Sequence, residues 1–118
     1  MIKGVKKMFE GAIIKETLTD ELLLDYLTID KVDIWKTNET IKYWTMIFFR
    51  SDTADLPQRL SETIIDNWFA DMKQGNIKYI IFKNKVLKYE IGNAAEKEEV
   101  LNYCRSCGIP DSQFNWSE

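Results

Sequence analysis

The sequence predicts a single α+β domain over residues 1–118, mainly an antiparallel sheet with helices. The element order is ferredoxin-like β-α-β-β-α-β, followed by a further β-α. Three stretches carry this reading. Residues 77–91 are dense in β-branched and aromatic residues and read as two antiparallel strands around a tight turn at Asn84-Lys85. Ile41 to Arg50 reads as a long strand with apolar residues on both faces, as a strand covered on both sides requires. Leu56, Leu60, Ile64, Trp68 and Met72 recur every four residues, the stripe of an amphipathic helix.

Met1 to Glu10 is a lysine-bearing lead-in whose Met1, Ile2, Val5, Met8 and Phe9 would suit a short amphipathic helix. Gly11 to Glu16 reads as the first strand. Thr19 is the expected N-cap of a helix with Asp20 and Glu21 at the positive end of its dipole. Leu22, Leu23, Tyr26 and Leu27 would form its buried stripe. Lys31 to Lys36 is a short strand, and Thr37 to Thr40 a turn into the long strand.

Pro57 fits the first turn of the second helix, where its missing N–H is no loss. Ile65 and Phe69 widen that helix's stripe, and Gly75 ends it. In the hairpin that follows, a turn at Asn84-Lys85 sets Phe82 opposite Leu87 and Ile80 opposite Tyr89. Ile80, Phe82, Leu87, Tyr89 and Ile91 then share the core face. Asn93 caps a third helix, Ala94 to Cys107, with Glu96 at the reciprocal position. Val100, Leu101, Cys104 and Cys107 face inward, and Gly108 and Pro110 stop the helix. Phe114 and Trp116 in the tail are expected to pack back on the body.

The formal net charge of −3 argues against a nucleic-acid or anionic-membrane partner recognised by overall charge, and suits a basic protein partner. No apolar run approaches a membrane span, and Met1 to Phe9 lacks a secretory signal's apolar stretch. Together with the use of only two cysteines, this makes the reducing cytoplasm the expected location. The absence of histidine removes Ser-His-Asp and Cys-His chemistry and histidine metal sites. No P-loop, dinucleotide fingerprint or nucleophile elbow is present.

Cys104 and Cys107 have CxxC spacing, which raises a redox reading. They lie at a helix C-terminus, where the dipole disfavours a thiolate, so a structural role is the better account. A closed zinc site needs four ligands, and one chain offers two thiolates, although a dimer could supply a second pair. The acidic pairs Asp20-Glu21 and Glu98-Glu99 are dipole partners and solvated faces. Aromatics at Tyr43, Trp44, Phe48, Phe49, Tyr79 and Tyr89 could stack on RNA bases, but the aromatic motif of RNA-recognition domains is missing. No catalytic residue, cofactor or metal ligand is assigned, and the reading leans away from an enzyme.

The segment Gly108-Ile109-Pro110-Asp111-Ser112-Gln113-Phe114-Asn115-Trp116 resembles the C-terminal end of a family of small uncharacterised prokaryotic proteins. The hairpin from Lys78 to Val86 is similar to theirs as well. The resemblance implies no activity and assigns no functional residue.

The second face of the hairpin carries Ile77, Tyr79, Ile81 and Val86, an apolar surplus that makes these residues the candidate interface. The leading expectation is therefore a non-enzymatic interaction module. It self-associates through a sheet face or neutralises another protein, as an immunity protein does a basic toxin. The alternative is a small-ligand-binding protein with an aromatic pocket between sheet and helices.

Overall fold

The computed structural model describes residues 8–114 and 116–118. The proposed amphipathic helix in the lead-in falls largely outside the described residues. Six strands form one sheet: β1 (Phe9–Ile14), β2 (Thr28–Lys36), β3 (Tyr43–Ser51), β4 (Phe69–Gln74), β5 (Ile77–Phe82) and β6 (Lys85–Glu90). Their spatial order is β2-β3-β1-β4-β5-β6, and every neighbouring pair is antiparallel. Two α-helices, α1 (Leu56–Thr63) and α2 (Ala94–Ser106), and short 3₁₀ turns complete the described chain.

The ferredoxin-like layout is therefore incorrect, although an α+β architecture holds. Its error lies in the second helix, which was expected to run through Met72. Helix α1 stops at Thr63, and Ile64 is already extended, with ψ 143° and a bridge to Leu18. Asn67 then turns the chain at φ 69°, and Phe69–Gln74 enters the sheet between β1 and β5. The β-branched pair Ile64-Ile65 and the turn formers Asp66-Asn67 outweigh the four-residue stripe. Leu56, Leu60 and Ile64 still share one core with Met72, which reaches it from the sheet.

The segment after Asp20 is also not an α-helix. Glu21–Tyr26 is a 3₁₀ turn capped by Asp20, whose side chain accepts from the Leu22 N–H at 2.9 Å. Only Leu23 of its apolar residues is buried; Leu22 and Tyr26 are exposed. Thr19 instead holds α1, its hydroxyl donating to the Thr63 carbonyl at 2.8 Å.

The hairpin turn occupies Lys83-Asn84, one residue earlier than expected, with Asn84 at φ 60°. Ile80 consequently pairs with Leu87, and Ile81 with Val86. This slip of two positions preserves which side chains share a face. Gly75, expected as a helix stop, is instead in the turn between β4 and β5 at φ 59°.

Each face of the sheet has its own cover. On one face, α1 packs with Phe9, Ile13, Ile47, Phe49, Met72 and Ile81. On the other, α2 and the C-terminal segment pack with Ile80, Phe82 and Tyr89. Asn93 caps α2 by accepting from the Glu96 N–H at 3.1 Å, while Glu96 reaches the Glu90 N–H rather than that of Asn93. At its other end, the Ile109 N–H returns to the Cys104 carbonyl at 3.1 Å beyond Gly108, which sits at φ 79°. Among the described residues, no helix is long and apolar enough to cross a membrane.

Candidate binding site

The second cover reaches only half of its face. The cluster beneath α2 and the tail belongs to β4, β5 and β6. Direct cross-strand pairs put Ala12, Ile14, Trp44 and Met46 of β1 and β3 on that same face. There they border an open cavity of about 810 Å³. Its walls are the turn at residues 39–41, the 65–68 connection and the tail at Ser112, Gln113 and Trp116.

All four tryptophans of the chain line this cavity. Trp35 and Trp44 are cross-strand partners on β2 and β3. Trp68, brought in by the turn that ends the α1 region, meets Trp44 edge to face at 5.4 Å and 80°. Trp116 comes from the tail and stands edge-on to Phe69 at 5.8 Å. The Trp44 Nε1 is enclosed and finds no hydrogen-bond acceptor among the described residues. An enclosed indole N–H without an acceptor costs about 1–3 kcal/mol, and such groups are rare in folded proteins.

The tail wall is held by a polar cluster on the same face. Lys78, only 2% exposed, donates to Asp71 Oδ1 at 2.6 Å and to the Ser117 carbonyl at 2.5 Å. Tyr89 donates its hydroxyl to Glu118 at 2.5 Å and accepts from Trp116 Nε1 at 2.9 Å. Burial, and then the Glu118 carboxylate, push the Tyr89 hydroxyl well above its ordinary value and keep it a donor. The Tyr89 hydrogen bond holds the Glu118 carboxyl below its ordinary 4.5, with Lys97 and Lys78 assisting.

A depressed carboxyl favours the docked tail above its ordinary value, and the preference is lost as pH falls through the lowered one. Acidification below 4.5 is therefore expected to release Trp116 and change its fluorescence before global unfolding. Tyr89→Phe should bring the transition up toward the ordinary carboxyl range. A pH titration of fluorescence and far-UV circular dichroism checks this; coincident transitions in wild type and Tyr89→Phe would contradict it.

The residues singled out from sequence fall elsewhere. Ile81 is fully buried, and Tyr79 and Val86 pack against the same core beneath α1. Ile77 is half-buried beside them. The apolar surplus of that hairpin face is thus explained by α1, which packs on it. Cys104 is buried, and burial, then its neighbour Cys107, push its thiol up to about 11, the reverse of redox activation. Cys107, expected to face inward, is exposed. Arg105 between them is engaged by Glu98 at 2.7 Å and Asp111 at 3.2 Å. No group of three or more metal-ligating residues occurs among the described residues.

The aromatic pocket expected from the sequence lies between sheet and helices, whereas this cavity is walled by the sheet, two loops and the tail. Alternation in the sequence puts Trp44 on one face of β3, but four-residue spacing puts Trp68 in a helical stripe and Trp35 lies in a short strand. Their convergence depends on the turn at Asn67, which four-residue spacing conceals. Comparison with family models, curated proteins and solved structures returns no match to this chain.

Proposed function

We propose that this protein is a non-catalytic small-ligand-binding protein whose working site is the tryptophan-lined cavity. The observation that carries the reading is the convergence of all four tryptophans on one open concavity. Ligand sites are concave, largely apolar and about 300–1,000 Å³, with few polar groups. Large aromatic surfaces left beside a cavity, together with an indole N–H lacking an acceptor, are costly to keep without a use. The two free thiols suit a reducing compartment, the cytoplasm in this reading.

Trp35 offers a clean test because its ring lines the cavity yet is 46% exposed, so its loss should leave the core intact. A thermal-shift screen of small metabolites is expected to yield compounds that stabilise the wild type. At a concentration of about one hundred times Kd the gain is about 2.7 kcal/mol, roughly 10 °C for a domain of this size. Trp35→Ala should reduce that shift severalfold with its own unliganded Tm unchanged. Compounds that stabilise both proteins equally would place binding elsewhere, and a screen without stabilisers would count against the site.

A second reading, self-association, is favoured by β2. It is an edge strand, exposed at every residue except Asp33. Ile29, Val32, Ile34 and Tyr43 present an uncovered apolar strip on the α1 side of the sheet. Lys31 and Asp33 flank Val32 on the opposite side. An antiparallel partner copy centred on Val32 sets each Lys31 against the other copy's Asp33, a self-complementary arrangement. Light scattering at micromolar concentration is expected to give a two-chain mass, reduced to one chain in Val32→Lys. A wild-type monomer would exclude this assembly without touching the cavity.

A further inference from the structure

We infer that the cavity selects an organic cation with an aromatic or apolar body, an assignment that rests on reading the cavity as a small-ligand site. Among the described residues, three carboxylates, Glu39, Asp66 and Asp71, belong to its lining, and no lysine or arginine does. Two basic groups that pair with these carboxylates are already engaged. Lys78 is buried against Asp71 at 2.6 Å, and Lys83 lies 3.5 Å from Asp66. Lys78 offsets Asp71, which leaves Glu39 and the more loosely paired Asp66 as the carboxylates a cationic ligand would meet.

Indole rings are the strongest aromatic partners of cations, because the ring faces carry negative charge. A cavity with four indoles and a negative rim therefore attracts a positive headgroup twice, through the rings and through the carboxylates. A neutral aromatic ligand would use only the first. An anion would meet like charge at the rim and, among the described residues, no cation in the lining. The domain's net charge of −3 acts in the same direction at longer range.

Calorimetry on the full chain with benzyltrimethylammonium, benzyl alcohol and benzoate separates these cases. The cation is expected to bind about tenfold more tightly than the alcohol, and benzoate not to bind measurably. Glu39→Gln combined with Asp66→Asn should lower the cation's affinity about five- to tenfold while leaving the alcohol's unchanged. Trp35→Ala should weaken cation and alcohol alike, which reports on the site rather than on charge. Equal affinity for cation and alcohol, or a preference for benzoate, would overturn the cation assignment and leave the ligand-site reading standing. No binding by any of the three would overturn both.

Discussion

Asp71→Ala is expected to destabilise the protein by about 3–5 kcal/mol, the cost of leaving a buried charge without its partner. Lys78 is 2% exposed, and among the described residues Asp71 is the carboxylate it is paired with, at 2.6 Å. Its other hydrogen bond, to the Ser117 carbonyl, is neutral and comes from the tail. Removing the carboxylate strands an ammonium ion that water cannot reach without lifting that tail. The reverse change is milder. Lys78→Met leaves Asp71, whose side chain is 28% exposed and can be hydrated in place. Urea denaturation at neutral pH should show a much larger loss for Asp71→Ala than for Lys78→Met. Equal losses, or an Asp71→Ala loss below about 1 kcal/mol, would mean that Lys78 finds another partner.

Gly11→Ala is expected to destabilise by about 1–3 kcal/mol, although the same change usually favours folding by restricting the unfolded chain. Gly11 lies in β1, between β3 and β4 and paired with Phe49 and Met72. A Cβ there would fall 2.7 Å from the Asp71 carbonyl oxygen and 2.9 Å from Met72 Cβ. The first contact is backbone in a paired strand, and the second belongs to a fully buried side chain. Neither can retreat without parting the sheet. The glycine permits close approach of two strands at the base of the core. A denaturant midpoint for Gly11→Ala at or above wild type would contradict this geometry.

Periodicity reads the local alternation of β3, β5 and β6 well, because alternation survives a register slip of two. Asn93 and Gly108 likewise bound α2 through chemistry that needs no tertiary context. The failure at Trp68 and Met72 has a different origin. Phe69-Ala70-Asp71-Met72 alternates as a strand and also fits the tail of a helical stripe, so spacing alone cannot choose. Asn67 at positive φ and the vacancy-free pairing of β4 with both β1 and β5 decide it. That one choice moves α1 over this face of the hairpin, burying Ile81 and packing against the half-buried Tyr79 and Val86.

The buried Lys78 was equally hidden. A lysine in a strand ordinarily marks solvent or an edge, but here β5 is interior and the tail covers its ammonium group. Its partner lies across the β4–β5 pairing and its cap arrives from residue 117, connections that no local pattern encodes. The candidate site shares this character. Its tryptophans come from β2, β3, the connection before β4 and the tail, and only the assembled sheet brings them together.

The central claim is that these four indoles form one binding site. The most direct measurement is the ¹H–¹⁵N spectrum of the indole groups during titration with benzyltrimethylammonium and benzyl alcohol. The four indole signals are expected to move along one common saturation curve, with the Trp44 N–H among them. If the signals stay in place to the solubility limit of both probes, or only one indole responds, the tryptophans do not form a shared site.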